Sequence, residues 1–455
     1  MFNVKDYAEE NGVQVFGNSS AVISRVSTDS RDIKSGDLYV ALIGPNFDGH
    51  SFINDAFDRG ASACMVSTEP NAASMDCSRT FIVTNDTRQG LNNISTWWRK
   101  KFTDKVRFIG VTGSNGKTTV KEMIASILCA EMSQSEVLAT KGNLNNDIGV
   151  PKTLLNLRRE HVFAVIEMGM NHYGELTHLT NAVRPDVAVI TNIGTAHIGE
   201  LGSQDGIARA KAEVIAGLVK GGTLVIEADG KYAEYLTGQY DLGSTLTFGE
   251  SSNAEVRGEL DQSLGKQAIK IFYGDLVIDI DWFVNGKHNF LNALAAAAVG
   301  FALNISPRAI KRGLELFKGV DGRLETVRLR SGDTLIDDTY NANMDSVCRA
   351  LEYLAVQPGR KIFVFGDMGE LGEFCNSMHE EVGRFAKSLW VSLLYGFGTF
   401  SKQAVLRFGS GGSHFDSRAD LLNQLRSELN GQAHILIKGS RFMQMNLFCE
   451  ALISD

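Results

Sequence analysis

Short apolar runs, spaced by longer stretches with one polar face, set the rhythm of this chain. Up to residue 84 the runs DLYVALIG, ACMVS and TFIVT alternate with helix-like segments, the pattern of a small α/β unit. A polar helix, RQGLNNISTWWRKKF, then leads into VRFIGVTG, an apolar strand ending on a glycine turn, and KTTVKEMIASILCAEM follows as a helix. Three more apolar strands, FAVIEMG, DVAVITNI and GTLVIE, are separated by helical stretches. That alternation predicts a parallel sheet with helices on both faces. From about residue 240 to 285 the runs STLTFGE, AIKIFY and LVIDIDWF predict a small antiparallel sheet beside the parallel one. An alanine-rich helix after Asn289 closes this region near residue 312. The remainder alternates again (DTLIDD, KIFVFGD, LWVSLLY, AHILIKG) and predicts a second, smaller Rossmann-like unit. The expected fold is therefore α/β with three domains, at 1–84, 85–312 and 313–455.

Composition narrows the function classes. A chain of 455 residues is too long for one core, which agrees with several domains. A net charge of -8 counts against a general nucleic-acid binder. Cys64, Cys77, Cys129, Cys348, Cys375 and Cys449 are scattered with no CxxC spacing, and read as reduced, mostly buried thiols of a cytoplasmic protein. The opening MFNVKDYAEENG lacks the basic-then-apolar pattern of a signal peptide. The most apolar run, Ala293–Leu303, is too short to span a bilayer, so no membrane insertion is expected.

The candidate chemistry starts at GVTGSNGKTTVKEM, Gly110–Met123. A phosphate loop of the usual spacing would place its first glycine at position 111, where Val111 stands; Gly113 comes two residues later. Gly113 and Gly116 let the backbone of Gly113, Ser114, Asn115 and Gly116 turn its N–H groups toward a phosphate. The helix beginning Lys117, Thr118, Thr119 points its N-terminus at the same anion. Lys117 supplies charge for the outer phosphates, and Thr118 a hydroxyl for Mg²⁺. No Asn-Lys-x-Asp guanine motif is present, which favours ATP. Glu167, ending VFAVIE, is placed for a metal role behind such a loop. His197 follows another strand end, where metal or phosphate binding competes with a structural role. Lys211, in ARAKAEVI, reads by itself as a solvated helical lysine.

Taken in order, these pieces resemble the Mur ligase family, ATP-dependent enzymes that join amino acids to a cell-wall precursor. The Thr-Gly-x-x-Gly-Lys-Thr form of the loop is the family's, so Val111 is no defect. The resemblance implies that Glu167 and His197 hold Mg²⁺ and that Lys211 reacts with CO₂ to give a carbamate. It also implies that GKHNFLNALAAAA is the adenine-site helix, with Asn289 and Asn292 as base contacts. Arg323 in GRLE would reach the nucleotide from the third domain, and Asp338 in DDTYNAN would contact it there. STDSRDIKSGDLYVALIGPNFDGHSF is similar to an N-terminal UDP-binding domain, which implies substrate contacts at Ser30, Arg31, Asp48, Gly49 and His50. KGNLNNDIGVP, DDTYNANMDSV, GDMGELGE and KGSRFMQM resemble the members that add D-alanyl-D-alanine to a UDP-N-acetylmuramoyl-tripeptide. Those stretches imply further substrate contacts at Asn145, Asn146, Tyr340, Asn341, Asn343, Lys438, Ser440 and Arg441. Met344 stands where the family usually has proline, and Asn446 where glutamate is common. A monomer is expected. Another ligase of the superfamily, such as a third-residue ligase or folylpolyglutamate synthase, is the alternative; a non-ligase P-loop ATPase is a third reading.

Overall fold

Alternation of side chains across each strand sorts the residues of the central sheet into two cores. Ile109, Val111, Val165 and Val189 face the helices Lys117–Glu131 and Lys287–Ala302, while Phe108, Ala164, Ile166 and Ile190 face the opposite layer. Both faces are buried, as a parallel sheet requires. The computed structural model of the chain describes residues 1–69, 79–239, 241, 243–261 and 267–454. Cys77 lies outside them; Cys64 and Cys449 are buried, and Cys129, Cys348 and Cys375 are half-buried free thiols.

The central sheet has nine strands, in the order Val137–Ala139, Phe163–Glu167, Arg107–Thr112, Val187–Ile190, Thr223–Glu227, Ser244–Gly249, Val256–Asp261, Gln267–Tyr273 and Leu276–Trp282. One detail departs from the sequence reading. The antiparallel strands do not form a separate sheet but continue the parallel one, and Ser244–Gly249 pairs parallel with Thr223–Glu227. Polar–apolar alternation reports which face is buried, not strand direction. The helix Ala233–Gly238 provides the crossover that returns Ser244–Gly249 in the parallel sense.

The N-terminal sheet has five strands, in the order Gln14–Phe16, Phe81–Val83, Ala63–Val66, Asp37–Val40 and Arg25–Ser27. The helix Thr87–Lys100 is shared between this sheet and the central domain. Leu91, Ile94 and Trp97 enter the N-terminal core, and Trp97 Nε1 donates to Glu10 Oε2 at 2.7 Å. From the same helix, Arg99 donates to the Arg184 carbonyl at 2.8 Å and lies 4.2 Å over the Phe108 ring.

The C-terminal sheet has six strands, in the order Glu325–Arg328, Thr334–Asp338, Ala433–Lys438, Arg360–Gly366, Leu393–Phe397 and Gly412–Phe415, all parallel except the first. Phe363 and Phe365 enter one core, Ile362 and Val364 the other. Thr112, Glu167, Asp338 and Lys438 all stand at C-terminal strand ends, the edge at which open α/β sheets bind ligands. No described helix is long and apolar enough to cross a membrane.

Candidate active site

The phosphate loop is built by the sharp exit from Arg107–Thr112 into the helix Lys117–Glu131. Gly116 takes φ +80, and a Cβ there would come within 2.4 Å of Asn292 Oδ1, so any other residue would be strained and would displace Asn292. At Gly113 a Cβ would come within 1.9 Å of Thr191 Oγ1, the hydroxyl that donates to the Asn115 carbonyl at 2.5 Å. Ser114 Oγ accepts from Gly194 N–H at 2.9 Å, and Asn192 Oδ1 from Asn115 N–H at 3.0 Å. The helix has no side-chain N-cap, which leaves its first backbone donors for an anion. Lys117 Nζ donates to the Gly113 and Ser114 carbonyls at 2.8 and 3.2 Å, and burial pushes its ammonium below the ordinary value. Thr118 and Thr119 are buried at the helix start.

A cleft of about 870 Å³ opens over this loop, lined among others by Lys117, Glu167, His197, Asn289, Arg323 and Asp338. Glu167 ends its strand almost fully buried. Asn145 Nδ2 donates to its Oε1 at 2.8 Å, while Oε2 has no partner. His197 has φ +65 at the start of the short helix Ile198–Leu201, and its Nδ1 lies 2.7 Å from Glu370 Oε2. Burial pushes the imidazole down, opposed by Glu370, and the imidazole in turn holds the Glu370 carboxyl low. Lys211 does not line the cleft: it is 0% exposed, on the helix Gln204–Ala212, with no partner for Nζ. Burial, and then the charge of Lys117, push it well below the usual lysine range. A solvated lysine face is thus excluded. Among the described residues no group of three or more His, Cys, Asp or Glu is placed to hold a metal ion. The orphaned Glu167 Oε2 and the unpartnered amine of Lys211 nevertheless suit the set that the family resemblance implies, in which Lys211 would add oxygen donors as a carbamate.

From the third domain, Arg323 Nη2 donates to Thr118 Oγ1 at 3.1 Å, and its guanidinium stacks 4.1 Å from the Tyr340 ring. Arg441 stands 5.9 Å from that ring. Lys438, 2% exposed, pairs with Asp338 Oδ2 at 2.6 Å and donates to the Asn341 carbonyl at 2.9 Å. Ser440 Oγ donates to the Ala342 carbonyl at 3.2 Å and accepts from Gly369 N–H at 2.8 Å. Asn343 caps the helix Met344–Ala355 and donates to Asn115 Oδ1 at 2.8 Å. Asn146 caps a turn, accepting from Gly149 N–H at 2.9 Å. Asn289 donates to the Asn285 carbonyl at 2.6 Å and accepts from Asn292 at 3.1 Å, so this pair braces the helix start under the loop.

The N-terminal candidates do not line this cleft. Arg31 pairs with Asp29 beside the buried Ser30. Asp48 accepts from His50 N–H at 2.9 Å, and His50 Nε2 accepts from Ser67 N–H at 3.0 Å across Gly49. Sequence reasoning missed Glu370, His288, Arg349 and Asp345, all gathered near the cleft by tertiary packing. Glu370, His288 and Asp345 lie inside the motifs GDMGELGE, GKHNFLNALAAAA and DDTYNANMDSV, which mark the stretch but not these side chains; Arg349 lies in none of the motifs. Arg88 and Asp147, paired at 2.8 Å on the cleft rim, lie inside RQGLNNISTWWRKKF and KGNLNNDIGVP, but their pairing follows only from tertiary packing.

Comparison with known proteins places this geometry. The Mur ligase middle domain matches residues 111–300, the glutamate ligase domain of Mur ligases residues 322–441, and the Mur ligase family catalytic domain residues 22–100. A UDP-N-acetylmuramoyl-tripeptide–D-alanyl-D-alanine ligase of Haemophilus influenzae is 36% identical over 442 residues, 95% of this chain and 94% of the relative. The crystal structure of MurF from Acinetobacter baumannii superposes with a TM-score of 0.91 at 33% identity, covering 100% of this chain and 99% of that one. The MurF ligase of Thermotoga maritima, solved in complex with ADP, gives 0.82 at 26% identity over 94% of this chain and 97% of its own. With likeness running through all three sheets and the loop between them, the chain belongs to the Mur ligase family.

Proposed function

We propose that this chain is the ATP-dependent ligase that adds D-alanyl-D-alanine to UDP-N-acetylmuramoyl-tripeptide in the cytoplasm, giving the pentapeptide precursor of peptidoglycan. One observation carries the reading. The phosphate loop, an orphaned carboxylate and an arginine from a separate domain converge on one cleft. We assign the UDP end of the substrate to residues 1–84, ATP to 85–312, and the dipeptide and nucleotide closure to 313–455.

A carboxylate is a poor electrophile, because its charge repels an amine and oxide is a poor leaving group. Phosphorylation by ATP converts it to an acyl phosphate, from which phosphate departs once the dipeptide amine has attacked. Lys117 and Arg323 bring positive charge to the phosphoryl group in transfer. Thr118, Glu167, His197 and carbamylated Lys211 are the residues that would hold Mg²⁺, which supplies further charge neutralisation when bound. Asn289 and Asn292 support the nucleotide side, with Asp338. Tyr340, Asn341, Asn343, Lys438, Ser440 and Arg441 surround the dipeptide side. Asn145 and Asn146 border the path of the tripeptide. Docking of the C-terminal domain excludes water, which protects the acyl phosphate from hydrolysis.

The test is ADP release with UDP-N-acetylmuramoyl-tripeptide, with and without D-alanyl-D-alanine. Release that needs both, with one new amide seen by mass spectrometry, is expected. ATP turnover indifferent to the dipeptide would point to a non-ligase ATPase instead.

A further inference from the structure

Two side chains flank the first residue of the helix Met344–Ala355, and each reaches out of its own domain. Asn343 meets the phosphate loop at Asn115. Asp345 reaches the neighbouring loop that leaves Val187–Ile190: its Oδ2 accepts from the Thr195 N–H at 2.6 Å and from the Thr195 hydroxyl at 2.9 Å. Gly194 makes this approach possible, because a Cβ there would stand 2.3 Å from Asp345 Oδ2. The same loop is tied to the phosphate loop through Gly194 N–H and Ser114 Oγ, 2.9 Å apart, and carries His197 two residues past Thr195. One carboxylate oxygen thus grips a segment that touches both the phosphate loop and a candidate metal ligand. Hydrogen bonds to an ionised acceptor are the stronger kind. The domain that holds Asp345 also delivers Arg323 to Thr118.

We propose that Asp345 is a positioning residue for ligation. By holding Thr195 it sets the docked orientation of the C-terminal domain, which seats Arg323 over the phosphate loop and steadies the segment that bears His197. The inference rests on the ligase reading for its catalytic consequence, while domain docking can be measured without it.

The experiment compares full-length Asp345→Ala, Asp345→Asn, Gly194→Ala and the double variant Gly194→Ala/Asp345→Ala. Two readouts are taken: kcat and KM for each substrate, and the fraction of docked molecules by fluorescence transfer between labels on the central and C-terminal domains with ATP and Mg²⁺. Asp345→Ala should lower kcat on the order of tenfold, the value of a charged hydrogen bond, with KM for the UDP substrate little changed and the docked fraction reduced. Asp345→Asn keeps an acceptor oxygen and should lose less. Gly194→Ala should be damaging alone yet add little to Asp345→Ala, because the oxygen it would strike is gone and only Asn115 Nδ2, at 3.3 Å, stays close. Wild-type turnover and docking in Asp345→Ala would overturn the proposal, as would independent, multiplicative losses from Gly194→Ala and Asp345→Ala. Should Asp345→Ala not fold, Asp345→Asn and Gly194→Ala decide it by the same criteria. If the wild-type chain makes no amide, the ligase reading fails, and an unchanged docked fraction in the variants still overturns the positioning role.

Discussion

An amine sealed from solvent with nothing to donate to is costly to keep charged. Lys211 is in that position, with burial and the charge of Lys117 both favouring the neutral form. A neutral amine is the form that attacks CO₂, so the environment prepares the modification that the family resemblance suggested. Lys211→Arg keeps a permanent charge and removes that nucleophile. It should lower kcat by roughly 10²-fold or more, and intact-protein mass spectrometry should detect a carbamate on the wild type alone. Near-normal turnover in Lys211→Arg would return the residue to a purely structural role. His288 offers a separate handle at this scale. Burial, then the charge of Arg349, pushes its imidazole from 6.5 down to about 4. The folded chain therefore keeps this ring neutral while the unfolded chain takes up a proton. Stability from this site is complete above pH 6.5 and declines as pH falls toward 4, by at most about 3 kcal/mol. Thermal unfolding scanned over that window should show the decline, and His288→Gln should lessen it, the remainder coming from His161, His197, His379 and His434, which burial also holds below the ordinary value.

Helix Thr87–Lys100 is the element that joins the first sheet to the second. Its start is set by Asp86, whose side chain accepts from the Arg88 and Gln89 N–H groups. Its apolar stripe, Leu91, Ile94 and Trp97, faces the N-terminal core. Trp97 packs edge-on to Phe2 and Tyr7, at 5.3 and 5.2 Å between ring centroids. Trp97→Ala should cost about 3–5 kcal/mol, felt first in the N-terminal domain. Calorimetry should split an early transition from the rest, while ADP binding at the phosphate loop persists below that transition. One unsplit transition at the wild-type temperature would mean that the helix belongs energetically to the central domain. The helix itself was legible in RQGLNNISTWWRKKF, but it read as polar; that its Leu91, Ile94 and Trp97 serve the N-terminal core was not, because a segment's own composition does not name the face it buries or its partner.

For the whole molecule, the decisive feature is that two sheets turn their C-terminal edges to the same cleft. Arg323, far from Thr118 in sequence, reaches it only because the domains meet. Arg323→Ala should lower kcat by on the order of 10²-fold and leave the KM for the UDP substrate within about twofold, since the site proposed for the UDP end is in residues 1–84. A variant with unchanged kcat and a raised KM would make the arginine a binding residue.

The phosphate loop was fully readable, because its chemistry is local: glycine conformations, a lysine and a helix start occupy consecutive positions. Glu167 was readable as a strand end, and His197 as a residue of the loop that follows one, for a similar reason. The α/β class and three units followed from periodicity, since burial on one or two faces writes itself into the spacing of apolar residues. The direction of Ser244–Gly249 did not, because pairing depends on the path of the crossover rather than on the strand's own residues. Lys211 looked like a solvated lysine, and only packing made it a sealed one with no partner. Glu370 beside His197, Asp345 on Thr195 and Arg323 on Thr118 are contacts between distant segments, to which no local pattern corresponds. They arise from how the domains sit against each other, and that is decided by the sum of many packed faces in the tertiary structure.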